Sequence, residues 1–187
     1  MAVRNLSVAW SGAPQVRGTA SVHLLLLAHM AAVGFTGAPR PLGLDDRGRD
    51  RLTFSKARRS DSARSWPAWT HFDEALAGAA GWLRQYRHAV NDFVPPAVVA
   101  WHQGRARNPG LIVAHNDAAP YNAVWGTSGL LGFVDWDMDG PMTREADVAW
   151  MVCSWVPVHA RAVVTAEGFT AFSARRTSLQ TFLCTFR

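Results

Sequence analysis

His115, Asn116, Asp117 and Asn122, followed by Asp135, Asp137 and Asp139, are the residues of this chain whose types and order point most directly to chemistry. The stretch HNDAAPYN follows an apolar run that reads as a strand, and Asp135-Trp136-Asp137 closes another. If residues 126–129 form a hairpin turn, Asn122 falls opposite Phe133 and Asp135 lies two residues further, at the open ends of paired strands. Their side-chain oxygens can then reach one ion. Asp117 sits on the loop entering the hairpin, and Pro120 restricts that loop. Mg²⁺ takes hard oxygen ligands, commonly one or two carboxylates with phosphate oxygens and water, so Asp135 suits the charged ligand and Asn122 the neutral one. Asp117 suits a base that orients an acceptor hydroxyl and takes its proton during phosphoryl transfer.

These residues need a scaffold. Leucines and alanines from Ser21 to Val33 predict a helix ended by Gly34, and the proline-rich segment at 37–41 predicts an extended connection. Arg51 to Phe54 reads as a short strand. A second helix is predicted from Phe72 to Val90, where Ala75, Leu76, Ala79, Trp82, Leu83 and Tyr86 recur at helical spacing. Leu111–Ala114, Ala123–Trp125 and Leu130–Val134 are strand candidates, with 126–129 as the loop joining the last two. Thr143 is placed to cap a helix from Arg144 to Trp155, with Asp147 near its positive end and Pro157 stopping it. A last helix, from about Thr170 to Phe186, carries an apolar side expected to lack a partner within the chain. Most of the tryptophans, Trp66, Trp69, Trp82, Trp101, Trp150 and Trp155 among them, read as core or groove lining.

A chain of 187 residues with 49% hydrophobic content is about one domain with a real core. Its net charge of +5 raises the question of a polyanionic partner. The positive charge is concentrated between Arg47 and Arg64, and no aromatic residues alternate with those arginines as in a single-strand groove, which argues against nucleic acid. The 55–65 stretch is charged and serine-rich, and reads as an exposed linker. Two cysteines, Cys153 and Cys184, show no zinc-type spacing and no disulfide framework, so a reducing cytoplasm is the expectation. The apolar run from His23 to Phe35 lies far from the N-terminus, carries two histidines and is too short to span a bilayer, which argues against export and against a membrane partner.

HNDAAPYN, then GLLGFVDWD, then the helix bearing Asp147-Val148-Ala149, resembles the aminoglycoside phosphotransferase family, also called the phosphotransferase enzyme family, whose fold is protein-kinase-like. The spacing of Asp117 and Asn122 equals that of the kinase catalytic loop. The likeness extends over roughly residues 22–54 and 66–170. It implies an α+β fold with a reduced N-lobe and hinge at 1–54, the linker at 55–65, and a mostly helical C-lobe with a catalytic β-hairpin at 66–187. It further implies Asp117 as catalytic base, His115 as the support of its loop, Asn122 and Asp135 as the residues that bind Mg²⁺ and its nucleotide, and Asp137 as a second metal ligand. The co-substrate would be ATP or GTP, and the acceptor a small hydroxylated molecule such as an amino-sugar or amino-alcohol. A kinase N-lobe also grips phosphate with a strand lysine, a helix glutamate and a glycine-rich loop. Here the one lysine is Lys56, no acid precedes Asp45, and no glycine-rich loop precedes the first helix. Arg4 or Arg17 could stand in, although a guanidinium fork is not a lysine point charge. The chain reads as shortened at both ends, and two accounts fit: a partial gene product, or an inactive remnant that binds metal or nucleotide weakly.

Overall fold

The computed structural model describes residues 8–9, 22–53, 66–97, 99, 101 and 108–187. The predicted linker, Lys56, Arg4 and Arg17 lie outside them. In chain order the elements are β1 (Val8–Ala9), α1 (Val22–Ala32), β2 (Pro41–Leu44), β3 (Asp50–Leu52), α2 (Asp73–Val90), β4 (Ile112–Ala114), β5 (Ala123–Gly126), β6 (Gly129–Phe133), β7 (Gly140–Met142), α3 (Arg144–Trp155), α4 (Arg161–Ala166) and α5 (Arg175–Phe186). Gly34 ends α1 with φ 81°, a left-handed value at which a side chain would be strained. Thr143 caps α3 as predicted, its hydroxyl accepting from Ala146 N at 3.1 Å.

The strands form three small antiparallel sheets, β1-β3-β2, β4-β7 and β5-β6. Three strands escaped the sequence reading. β1 falls in a stretch where no regular element was expected, β2 begins at the last residue of the predicted extended connection, and β7 pairs with β4 through Ile112–Met142 and Ala114–Gly140. The hairpin register also differs from expectation. Ala123, not Asn122, faces Phe133, because an irregularity between Val124 and Trp125 leaves Leu131 as an extra residue in β6. Such a bulge moves every later pair by one. Asn122 consequently meets Val134, whose N–H donates to its carbonyl at 3.0 Å, and Asp135 is one step beyond.

One core joins α1, α2, the hairpin, α3 and α5, through Leu26, Met30, Ala79, Leu83, Phe133, Met151 and Phe182. Trp69, Trp82, Trp101 and Trp155 are buried, whereas Trp150 is exposed. The predicted final helix is divided into a short 3-10 turn at Phe172–Ala174 and α5. Its apolar side does have a partner in the chain. Phe182 is fully buried, Leu179 and Phe186 pack against the core beside α2, and Arg87 of α2 lies over the Phe186 ring at 4.9 Å. The amphipathic face of α5 is covered because α2 offers it Arg87 along with apolar surface. No helix among the described residues is long and apolar enough to cross a membrane.

Candidate active site

β4, a 3-10 turn at Pro120–Asn122, and the ends of β5 and β6 converge on one place. β4 is buried along its length, and Tyr86 of α2 donates its phenol to Val113 O at 2.7 Å, fixing where the chain leaves that strand. Trp155, at the end of α3, donates to Ala118 O at 2.8 Å from the other side. The loop carrying Asp117 is therefore held by two core aromatics.

Asp117 is half-buried, and each of its carboxylate oxygens accepts a hydrogen bond: Tyr121 Oη donates to Oδ1 at 2.5 Å, and Asn122 Nδ2 to Oδ2 at 2.8 Å. Asn122 Nδ2 also reaches Asp117 O at 3.0 Å. With its NH₂ turned to Asp117, the amide of Asn122 points its carbonyl oxygen the other way. Burial pushes the Asp117 carboxyl above its ordinary value, the Tyr121 and Asn122 hydrogen bonds offset part of that, and the charge of Asp135 adds to the rise. Asp117 and Asp135 thus share one electrostatic neighbourhood. A carboxylate raised toward neutral pH is a better proton acceptor than an ordinary surface aspartate.

His115 is buried beneath this layer and touches both halves of it. Asp117 N donates to Nδ1 at 3.3 Å, which makes Nδ1 the unprotonated nitrogen and Nε2 the donor to Val134 O at 3.2 Å. Burial lowers its pKa to about 4, so at neutral pH it is an uncharged brace between the Asp117 loop and the strand leading to Asp135. Trp136 packs on the ring with centroids 4.3 Å apart.

Two side chains at the site adopt left-handed backbone, Asn116 (φ 61°) and Asp135 (φ 66°). Asp and Asn tolerate this region better than other L-residues, at a cost of about 1–2 kcal/mol. Asn116 offsets its share by donating Nδ2 to Met138 O at 2.9 Å and Gly140 O at 3.3 Å. The charge of Asp137 acts on His23 of α1 and on Asp139, whose Oδ1 lies 2.6 Å from His23 Nδ1. Burial raises the Asp139 carboxyl. Burial pulls His23 down, but the carboxylates of Asp139, Asp137 and Asp50 outweigh it and leave the imidazole raised.

Of the residues singled out from sequence, Asp117, Asn122, Asp135 and His115 are brought together, and Asp137 borders a neighbouring cluster. Asp147 is engaged elsewhere: Arg87 Nε donates to its Oδ2 at 3.1 Å, a largely buried ion pair that ties α2 to α3. Tyr121 and His23 were missed, and Asn116 was singled out without a role. Tyr121 could have been flagged by its place four residues after Asp117, and His23 as a polar residue in an apolar helix.

Among the described residues no three His, Cys, Asp or Glu side chains cluster as a metal site. A Mg²⁺ site of one amide, one or two carboxylates and phosphate oxygens does not require such a cluster. The orientation of Asn122 and the position of Asp135 one residue beyond its pairing partner fit that kind of site.

The sequence matches the model of the phosphotransferase enzyme family over residues 11–179. It is 31% identical over 134 residues to the trifolitoxin immunity protein of Rhizobium leguminosarum bv. trifolii, a match that covers 69% of this chain and 49% of that protein. The chain therefore spans about half the length of that curated relative. Among solved structures it is similar to choline kinase from Cryptosporidium parvum Iowa II, with a TM-score of 0.57 and 10% identity, over 92% of this chain and 62% of that one. It is also similar to the GDP complex of aminoglycoside 2'-phosphotransferase-IIIa, with a TM-score of 0.47 and 11% identity, over 88% of this chain and 71% of that one. The choline kinase likeness establishes an α+β, protein-kinase-like fold.

Proposed function

The chain belongs to the phosphotransferase enzyme family, and from that premise we propose that it moves the γ-phosphoryl group of ATP or GTP to a hydroxyl of a small molecule. The observation that carries this reading is the convergence of Asp117, Asn122 and Asp135, with Asn122 hydrogen-bonded to Asp117 and Val134 hydrogen-bonded to Asn122. Asp117 accepts a hydrogen bond from the acceptor hydroxyl and takes its proton as the oxygen attacks the γ-phosphorus. The bond from that phosphorus to the β–γ bridging oxygen breaks, and the nucleoside diphosphate leaves. Asn122 and Asp135, with Asp137 beside them, would hold Mg²⁺, whose chemistry when bound is to neutralise charge on the phosphate oxygens. Tyr121 and Asn122 keep the Asp117 carboxylate from rotating away.

An acceptor in this site would meet the carboxylates of Asp117 and Asp135, which favours a cationic amino-sugar or amino-alcohol. A coupled assay of diphosphate release tests the proposal against a panel of such acceptors, with trifolitoxin included because of the Rhizobium relative. General base catalysis contributes about 10²–10⁴-fold, so Asp117→Ala should lower turnover by roughly that factor. Activity unchanged by this substitution would remove Asp117 from the role.

A second reading, binding of metal or nucleotide without transfer, is favoured by the fact that Lys56 is the one lysine in the sequence. Calorimetry with Mg-ATP separates the two. Binding abolished by Asp135→Asn, with no diphosphate released for any acceptor, selects the second.

A further inference from the structure

The loop after Asp135 is gripped from two directions. Asn116 holds it from the catalytic segment, through the carbonyls of Met138 and Gly140. From the opposite side comes α1, where His23 Nδ1 approaches Asp139 Oδ1 at 2.6 Å, with 23% of the imidazole exposed and none of the carboxylate. This is a charge contact of hydrogen-bond length, and no group other than His23 bonds either oxygen of Asp139 among the described residues. A carboxylate withdrawn from water is costly unless a counter-charge accompanies it, so the burial of Asp139 depends on His23.

Helix α1 carries no acidic residue and only two polar side chains, His23 and His29. His29 is occupied elsewhere, its Nε2 bonded to Ala89 O at 2.9 Å. His23 is thus the polar side chain by which α1 reaches the site. Asp135 lies four residues before Asp139 on left-handed backbone, a conformation that persists only where the surroundings over-determine it.

We propose that His23 and Asp139 form a latch through which α1 positions the Asp135–Asp137 loop, so that nucleotide affinity depends on a helix that supplies no ligand. In the kinase template a helix glutamate acts on the site through a strand lysine. Here the helix acts on the cation loop directly, through an imidazole and a buried carboxylate. The inference rests on the reading of Asp135 and Asp137 as cation ligands. His23 and Asp139 are positioning residues in it and touch no substrate.

The test uses the full chain with His23→Ala, Asp139→Asn and the exchanged pair His23→Asp/Asp139→His. Titration with Mg-ATP is read beside amide hydrogen exchange at 135–140 and in α2. Loss of a residue that orients a ligand commonly costs 10–100-fold in metal affinity, so each single variant should weaken Mg-ATP binding about tenfold. Exchange should quicken at 135–140 and stay unchanged in α2. The exchanged pair should recover most of the affinity. Wild-type affinity together with wild-type exchange at 135–140 in a folded single variant would overturn the latch. So would quickened exchange in α2 to the same extent, which marks a merely structural role. If the unsubstituted chain binds no Mg-ATP, the proposed function fails. Exchange then decides the latch alone: quickening confined to α1 and 135–140 supports it, and no change refutes it.

Discussion

Two regions of this molecule are built from short antiparallel strands, and they are held together in opposite ways. The β1-β3-β2 sheet is organised by a local turn, in which Asp45 Oδ1 accepts from Arg47 N and Arg49 N at 2.9 Å and Oδ2 from Arg49 Nε at 2.7 Å. The backbone N–H of Arg49, followed by its guanidinium, holds the Asp45 carboxyl down at about 2. Most of β2 is exposed. The segment from β4 to β7 is largely buried apart from the hairpin tip, and its polar groups find partners far along the chain: His115 at Val134, Asn116 at Met138, Asp139 at His23. The β2-β3 turn is closed by contacts within a few residues, whereas the site exists only when the whole core has closed. A site of this kind inherits its geometry from global stability.

That contrast can be broken first at Gly132. A Cβ there would collide with the backbone carbonyl of Gly37, and backbone cannot move aside as a flexible side chain can. Gly132→Ala should destabilise the fold by about 3 kcal/mol, at the upper end for overpacking, as measured by denaturant unfolding. A loss below about 0.5 kcal/mol, the range of ordinary surface changes, would mean that the hairpin adjusts freely.

Acid offers a second probe of comparable size. His115 titrates at about 4 in the fold and near 6.5 unfolded, so the unfolded chain binds more protons between those values. Its contribution is fully present above about pH 6.5 and is lost as pH falls through 4, roughly 3 kcal/mol in all. Urea midpoints from pH 7 to pH 4 should fall by less in His115→Asn than in the parent chain. Equal slopes would show that other groups carry the acid sensitivity.

A smaller effect is expected from Tyr121→Phe, which removes the donor to Asp117 Oδ1 and leaves the ring. Under the proposed reaction, turnover should drop about tenfold, the equivalent of one hydrogen bond to a charged group. The Michaelis constant for nucleotide should hold within about twofold, since no ligand is touched. A change confined to that constant would place Tyr121 with the nucleotide instead.

The smallest prediction reverses the sign of the first. Gly81 lies within α2, and a methyl group added there would meet nothing within 4 Å. Gly81→Ala should raise stability by about 0.5–1 kcal/mol, the helix propensity difference, with a matching rise in thermal midpoint. The same substitution then separates a crowded glycine of the site from an incidental one of the scaffold.

Much of this organisation was legible from residues alone. That Asp117, Asn122 and Asp135 come together was legible in a short motif of fixed type and order, and the apolar period of α2 and the Thr143 cap are equally local signals. The hairpin register was not legible, because the extra residue at Leu131 leaves no mark in the pattern of apolar positions. β7 was hidden because Gly140-Pro141-Met142 has the composition of a turn and becomes a strand only beside β4. Nor could the partner of α5 be read, since a helix face records that it is apolar and not what covers it. His23 and Asp139 lie more than a hundred residues apart in sequence, and only the folded chain brings them within reach.

The carbonyl of Gly37 takes two donors at once, the indole of Trp82 at 2.8 Å and the amide of Phe133 at 3.1 Å. It rivets the strand-bearing front of the molecule to the hairpin at a single oxygen. Any opening that displaced this peptide would forfeit both bonds together, so swinging motions that keep them must bend the chain on one side of residue 37 or the other.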